Sequence, residues 1–143
     1  MRSQAARLGI SPDYFKTHDL HVHVPEGAVP KDGPSAGVAL TCALLSAVTG
    51  IPANGDIAMT GEITLTGRVL PIGGEKEKLL AAYRMGVTRI LLPKDNGKDL
   101  EELDESIRSE MDITLMDNIE DAISLVLSEP IEGAAKTAHM RAV

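Results

Sequence analysis

The sequence predicts a compact single domain of the α/β (α+β) class, in which small mixed sheets are flanked by helices. Its 143 residues suit one domain, and a hydrophobic fraction of 43% is sufficient to form a core. Short apolar runs of strand length alternate along the chain with segments of helical spacing, an order typical of mixed sheets covered by helices. Two tyrosines and one phenylalanine are the only aromatic residues, so the core must consist mainly of aliphatic side chains.

Strand signals occur in four places. Residues 19–24 alternate between apolar and polar types, with His21 and His23 on the polar face. The segment DIAMTGEITLTGRVLPIGG predicts short strands joined by tight turns at its two Thr-Gly pairs. The short apolar runs at 87–92 and 113–116 predict two further strands.

Helical spacing of apolar residues predicts three longer helices: residues 35–49, a segment from after Gly73-Gly74 to about Met85, and residues 118–128. The first is apolar on almost every side, which predicts a buried helix, and Gly50 is suited to its end. The acidic stretch 95–112 predicts one or two exposed helical turns, with a subunit contact as the alternative to a solvated face. From Pro130 onward the pattern is lost.

Charge and composition disfavour several functional classes. A net charge of -7 opposes electrostatic capture of nucleic acid, and the aromatic residues are too few to stack single strands. A single cysteine, Cys42, excludes an internal disulfide and a multi-cysteine zinc site, and it fits the reducing cytoplasm. No apolar stretch is long enough for a transmembrane helix, and the first residues lack the apolar core of a secretory signal.

The first segment that suits chemistry is PKDGPSAG, residues 30–37. It can simply be a helix start, in which Asp32 or Gly33 caps and Pro34 occupies the first turn. The functional alternative is that the Ser35 hydroxyl lies beside first-turn N–H groups at the positive end of the helix dipole, where an oxyanion is stabilised. A serine in that position still needs a base to become a nucleophile.

The second such segment is GGEKEK, residues 73–78, which can be a loop followed by a solvated, charged helix. In a helical projection, however, Lys78 falls inside the apolar arc, whereas Lys76 lies at its edge. Burial and a nearby helix N-terminus both lower the pKa of a lysine, and a neutral amine can accept a proton. The two segments together therefore offer a nucleophile and a base.

Two longer motifs, HVHVPEGAVPKDGPSAG and MTGEITLTGRVLPIGGEKEKLLAA, resemble the proteolytic domain of the Lon family of ATP-dependent serine proteases, in its bacterial and mitochondrial branch. The resemblance runs from about residue 2 to about residue 129. It implies a Lon-protease type fold. Residues 1–129 are thus expected to form an N-terminally truncated proteolytic domain, and residues 130–143 a flexible C-terminal tail.

The resemblance implies a Ser–Lys dyad, with Ser35 as the nucleophile and Lys78 as the general base. Backbone N–H groups around Gly33 and Ser35 would stabilise the oxyanion. The supporting residues implied by the resemblance are Thr60, which would hold the Lys78 amine, and the polar neighbours Glu62, Asp32, His21 and His23.

The family further implies a serine endopeptidase that hydrolyses unfolded, damaged or regulatory proteins in cytoplasmic quality control. Its members assemble into hexameric rings and carry an upstream ATPase module that uses ATP and Mg²⁺. No cofactor or metal is expected in this domain, and neither a membrane nor a nucleic-acid partner is expected. No G-x-x-x-x-G-K-[ST] phosphate loop occurs in the chain, which disfavours an ATPase.

Several alternatives stay open at this point. The chain can instead be a non-catalytic assembly module of an ATPase with an unformed active site, although such a module need not keep both Ser35 and Lys78. A zinc site at His21 and His23 lacks a third ligand of suitable spacing. A role of the two histidines in the wall of the active site is therefore favoured. Cys42 suits the core. Glu75 stands where the family usually has an aliphatic residue. Its carboxylate would either interact favourably with the helix dipole or stabilise the charged form of Lys78, which opposes the action of Lys78 as a base.

Overall fold

A computed structural model of the chain describes residues 5–6, 8–23 and 33–131. The α-helices in these residues are α1 (Tyr14–Thr17), α2 (Gly37–Thr49), α3 (Glu75–Arg84), α4 (Glu105–Arg108) and α5 (Ile119–Val126). The strands are β1 (Ile57–Met59), β2 (Glu62–Ile63), β3 (Val69–Leu70), β4 (Arg89–Pro93) and β5 (Asp112–Met116). Two 3₁₀ helices, Pro34–Ala36 and Lys94–Glu102, precede α2 and follow β4. The predicted α/β class is confirmed.

The strands form two small sheets. A parallel sheet has the order β1-β4-β5, and β2 pairs with β3 in an antiparallel hairpin. In the central strand β4, Leu91 faces one apolar cluster while Ile90 and Leu92 face another. Because successive side chains of a strand point to opposite faces, the parallel sheet has a core on each side.

Helices cover both faces of the parallel sheet. The first cluster joins the sheet to α2 through Val38 and Cys42 and to α5 through Ala122 and Val126. On the other face, α3 contributes Leu79, and the segment after β4 contributes further apolar side chains. A third cluster joins the end of α2 to residues before α1 and after α5. None of the described helices has the length and apolar character needed to cross a lipid bilayer.

Most predicted elements are confirmed with small changes in their bounds. Gly50 ends α2 with a left-handed φ of 74°, as its position predicts. The segment around the Thr-Gly pairs contains β1 and the β2–β3 hairpin. The predicted helix over 35–49 begins as a 3₁₀ turn and becomes α-helical at Gly37. It is buried along one face only, and Leu40 on the other face is exposed.

The prediction of a strand over 19–24 is wrong for the residues that the structure describes. Residues 19–23 form no strand, and Leu20 and Val22 are 38% and 50% exposed. An alternating pattern produces a strand only where another strand supplies hydrogen-bond partners, and no described strand pairs with this segment. Residue 24 lies outside the described residues.

The acidic stretch 95–112 is less exposed than its composition predicts. It forms the second 3₁₀ helix and α4, and it buries four side chains: Asn96, Leu100, Leu103 and Met111. Three of these are apolar and pack against the sheet face that α3 covers. The charged residues thus lie on the outer side of an amphipathic segment.

The predicted tail begins near the end of the described chain. Ile131 is buried beside Leu8 and Ile10 in the third cluster. Residues 132–143 lie outside the described residues, so the flexible tail stays a prediction.

Candidate active site

Ser35 occupies the middle of the 3₁₀ turn that leads into α2. Gly33 precedes this turn with φ 103° and ψ 156°, a conformation that favours glycine. Pro34 lacks an N–H and suits the first position, where that N–H would have no acceptor in the helix. The Ser35 side chain is half-buried, and its hydroxyl makes no hydrogen bond with the described part of the chain. The hydroxyl is therefore available for chemistry.

The main chain of Ser35 is fixed by the residues that follow β1. The Ser35 carbonyl accepts hydrogen bonds from the Gly61 N–H at 2.9 Å and from the Thr60 hydroxyl at 3.1 Å. In the other direction, the Val38 N–H donates to the Gly61 carbonyl at 3.1 Å. Three hydrogen bonds thus hold the serine turn at the carboxyl end of the parallel sheet, where ligand sites of open α/β sheets occur.

Two glycines allow this close approach. A Cβ on Gly61 would lie 2.9 Å from Val38 Cγ2 and 2.9 Å from Val69 Cγ1. A Cβ on Gly37 would lie 2.9 Å from Ile63 Cγ2 and 3.1 Å from the Ile63 nitrogen. Any larger residue at either position would push the serine turn away from the strands.

Thr60 is almost fully buried, with 8% of its surface exposed. Its N–H donates to the Leu91 carbonyl of β4 at 3.3 Å, and its hydroxyl donates to Ser35 as described. The structure therefore connects Thr60 to the serine turn. The expected bond between Thr60 and the Lys78 amine is not among its hydrogen bonds in the described residues, and it stays a prediction.

Lys78 lies in the first turns of α3, which Gly74 precedes in a left-handed conformation with φ 69°. Its side chain is exposed, and its amine donates to the Gly73 carbonyl at 3.4 Å. The projection that placed Lys78 inside the buried arc is wrong, because α3 packs through Leu79 together with Leu80, Ala82 and Tyr83. Those contacts rotate the buried face of the helix away from Lys78.

Glu75 and Glu62 are both half-buried. The buried face of α3 is centred on Leu79 rather than on Glu75. Among the described residues, no ion pair joins Glu75 to Lys78. Glu62 lies on β2, directly after the Thr60–Gly61 segment that holds the serine turn.

The remaining predicted residues are not brought into the site by the described structure. His21 and His23 are exposed and lie in the unpaired segment before residue 24. No group of three or more histidine, cysteine, aspartate or glutamate side chains suited to a metal ion occurs in the described ranges. Asp32 lies outside them.

Cys42 is a core residue, as its sequence context predicts. It is 2% exposed on the buried face of α2, and burial raises the pKa of its thiol to about 11. A thiol that stays protonated is a poor nucleophile, so Cys42 is not the reactive group.

One polar residue near the site was missed from the sequence. Asn96 is 2% exposed, and its amide binds the main chain of Ile72, just before the Gly73–Gly74 turn. The acidic composition of its surroundings concealed it. The signal that could have revealed it was its place three residues after the apolar run of β4, just beyond the carboxyl end of a parallel strand.

Comparison with known families defines the class of this domain. The model of the Lon protease (S16) C-terminal proteolytic domain matches residues 1–129. The match covers most of the chain, so the chain belongs to the Lon protease (S16) C-terminal proteolytic domain family. The resemblance predicted from the two motifs is thereby confirmed.

Within this class the chain is similar to bacterial Lon proteases. It is 53% identical over 133 residues to the Lon protease of Escherichia coli strain K12, covering 93% of the chain and 17% of the relative. The Lon protease of Erwinia amylovora is 54% identical over 127 residues, 89% of the chain and 16% of the relative. That of Brevibacillus choshinensis is 49% identical over 136 residues, 95% of the chain and 18% of the relative. The chain spans about a sixth of the length of the curated relatives it matches.

Proposed function

We propose that this chain is the serine endopeptidase domain of a Lon-type protease and that Ser35 and Lys78 are its catalytic dyad. The observation that carries the proposal is the serine turn. Three hydrogen bonds fix its main chain, while the Ser35 hydroxyl has no partner among the described residues. A fixed backbone with a free hydroxyl is the arrangement that a nucleophile requires.

The proposed reaction begins when Lys78, as a neutral amine, takes the Ser35 proton. The Ser35 Oγ forms a bond to the carbonyl carbon of the substrate, and the N–H groups around Gly33 and Ser35 stabilise the resulting oxyanion. Lys78, now an ammonium, returns the proton to the leaving amine as the peptide bond breaks. A water molecule activated by Lys78 then releases the acyl group from Ser35.

For this reaction Lys78 must exchange its contact with Gly73 for one with Ser35. The Lys78–Gly73 bond is 3.4 Å long and exposed, so it is weaker than an ordinary N–H···O bond and readily given up. A lysine side chain has four rotatable methylenes, which allow its amine to be redirected. In the proposed active arrangement, the Lys78 amine therefore turns from its own loop toward the serine turn.

The wider role is also a proposal. We infer that the substrates are unfolded, damaged or regulatory proteins, that the domain works in a hexameric ring, and that it acts in the cytoplasm. ATP and Mg²⁺ would serve an ATPase module of a longer polypeptide. The chain has no G-x-x-x-x-G-K-[ST] sequence to bind a nucleotide, and no proposed step uses one.

Peptidase assays of single variants test the dyad. The Ser35→Ala and Lys78→Ala variants should be measured in this chain and in the longest natural polypeptide that contains it. Each should lose at least about 1,000-fold in kcat, since removing one member of a catalytic unit costs nearly as much as removing both. Lys76→Ala removes the other exposed lysine of the same helical turn and should retain wild-type activity.

Full peptidase activity of Ser35→Ala would overturn the mechanism. Absence of peptidase activity from the wild type in both forms would favour the alternative function, a non-catalytic assembly module.

A further inference from the structure

Asn96 is almost fully buried, with 2% of its surface exposed, and its side chain makes three hydrogen bonds. Its Oδ1 accepts from the Ile72 N–H at 3.0 Å, and its Nδ2 donates to the Ile72 carbonyl at 2.9 Å. The second Nδ2 hydrogen is donated to Asp99 Oδ2 at 3.0 Å. One amide group thus satisfies both polar atoms of the Ile72 main chain.

Ile72 belongs to the loop of residues 71–74 (hereafter the lysine loop), which leads into α3, the helix that carries the proposed base. The next residue is Gly73, whose carbonyl accepts from the Lys78 amine, and Gly74 then precedes α3. Since the pair of bonds to Ile72 fixes both the N–H and the carbonyl of one residue, it sets the direction in which the chain enters the Gly73–Gly74 turn. That direction sets where α3 begins, and therefore where the main chain of Lys78 lies.

The same arrangement occurs at the other half of the dyad. Among the described residues the buried polar side chains are Thr60 and Asn96. Thr60 binds the main chain of Ser35, and Asn96 binds the main chain that precedes Lys78. Burying a polar group is unfavourable unless it is hydrogen-bonded. Here the Thr60 hydroxyl bonds to the serine turn, and two of the three Asn96 bonds are made with Ile72.

Both contacts are connected to β4 or to the residues just after it. The Leu91 carbonyl accepts from the Thr60 N–H, and Asn96 follows the fully buried Pro93 by three residues. The central strand of the sheet therefore provides a common reference for the serine turn and for the lysine loop. A dyad built from two separate segments needs such a reference, because a displacement of about 1 Å can reduce the rate about 100-fold.

Asp99 fixes which way the Asn96 amide faces. A carboxylate only accepts hydrogen bonds, so it requires the Nδ2 group of Asn96 on its side. That orientation leaves Oδ1 for the Ile72 N–H and the other Nδ2 hydrogen for the Ile72 carbonyl.

We propose that Asn96 is a positioning residue for catalysis, which acts through Ile72 to hold the lysine loop, and with it the start of α3, in register with Ser35. This inference rests on the proposed Ser–Lys dyad. The amide does not touch the reacting atoms, so its loss should lower kcat while substrate binding is retained.

The test compares isosteric variants in the longest natural polypeptide that contains this chain. Asn96→Asp keeps an acceptor for the Ile72 N–H but replaces both donors by a carboxylate oxygen facing Ile72 and Asp99. The double variant Asn96→Asp/Asp99→Asn restores a donor and acceptor between positions 96 and 99 without restoring the bond to the Ile72 carbonyl. Asn54→Asp is the matched control, because Asn54 Nδ2 donates to the Leu125 carbonyl at 3.2 Å, outside both catalytic segments.

Each variant should be titrated with a peptide boronate, which bonds to the serine Oγ and counts the formed sites. Turnover is then expressed per titrated site, so that partial unfolding does not count as a loss of catalysis. Asn96→Asp should lower kcat per site by about tenfold or more and leave KM within about threefold. The kcat per site of the double variant should be as low as that of Asn96→Asp. The Asn54→Asp variant should keep its kcat per site within about twofold of the wild-type value.

The inference is overturned if Asn96→Asp keeps its kcat per site, if the double variant recovers, or if Asn54→Asp loses as much. Should Asn96→Asp fail to fold, Asn96→Ser gives the decision, because its shorter hydroxyl side chain cannot make both bonds to Ile72. It should also lower kcat per site by about tenfold or more, and an unchanged kcat would refute the positioning role. A wild type without Ser35-dependent turnover refutes the proposed function itself, which distinguishes that failure from failure of the Asn96 inference.

Discussion

Gly37 decides how closely the serine turn approaches the strands. In a Gly37→Ala variant, the new methyl group would overlap the side chain and the main-chain nitrogen of Ile63. We expect the free energy of unfolding to fall by about 1–3 kcal/mol, because overpacking forces backbone shifts. Denaturant titration measures this directly. Gly55→Ala is the control, since no atom lies within 4 Å of its Cβ position, and equal losses from both variants would contradict the account.

Cys42 gives a second prediction for a single side chain. Burial raises its thiol pKa from 9.0 to about 11, so the thiolate fraction at pH 8 should be about 100-fold lower than for an unperturbed thiol. Alkylation by iodoacetamide should be slow in the native protein and rapid in denaturant. Equal rates in the two states would show that α2 does not bury this residue.

Single residues also show what sequence patterns can and cannot reveal. Gly33, Pro34 and Ser35 are recognisable because the turn chemistry of glycine and proline is local. Asn96 is not recognisable in that way, because its partner Ile72 lies 24 residues away. The exposure of Lys78 differs from the helical projection for a related reason, because the buried face of a helix is set by the residues that pack against it.

At the scale of elements, α5 is determined largely by local sequence. Asn118 precedes it in an extended conformation, and the Asp121 carboxylate accepts from the N–H groups of Asp117 and Asn118, each at 3.0 Å. These contacts satisfy donors at the helix start, which is why the polar residues before the apolar spacing predict its position correctly.

Removal of the Asp121 carboxylate should therefore destabilise the domain. We expect Asp121→Ala to lower the free energy of unfolding by about 0.5–2 kcal/mol, as for other lost helix caps. Thermal unfolding followed by circular dichroism measures the change. Asp112→Ala removes another exposed carboxylate that makes no side-chain hydrogen bond with the described residues, and an effect of equal size would attribute the loss to charge alone.

The segment over 19–24 illustrates the opposite case among the elements. Its alternating pattern is as regular as that of any strand in the chain, yet residues 19–23 are unpaired in the described structure. Strand formation depends on a partner distant in sequence, which a local pattern does not specify. The parallel strand β4 was predicted correctly because it lies between two apolar layers and is therefore almost continuously apolar.

At the scale of the whole molecule, one sheet organises both the fold and the site. Helices α2 and α5 cover one face, and α3 with the segment after β4 covers the other. The same sheet presents Thr60 and Asn96 at its carboxyl end, so that the serine turn and the lysine loop are each bonded to a neighbouring connection. Composition and spacing predict the layered class, but they do not predict that both catalytic segments are held from one strand.

The titration of a peptide boronate by calorimetry tests the central claim, that Ser35 is a nucleophile served by Lys78, most directly. Wild type and Lys76→Ala should bind one boronate per chain, and Ser35→Ala should bind none, in the longest natural polypeptide that contains these residues. Lys78→Ala should bind more weakly, because no amine takes up the serine proton as the oxygen–boron bond forms. Undiminished binding by Ser35→Ala, or no binding by the wild type, would contradict the account.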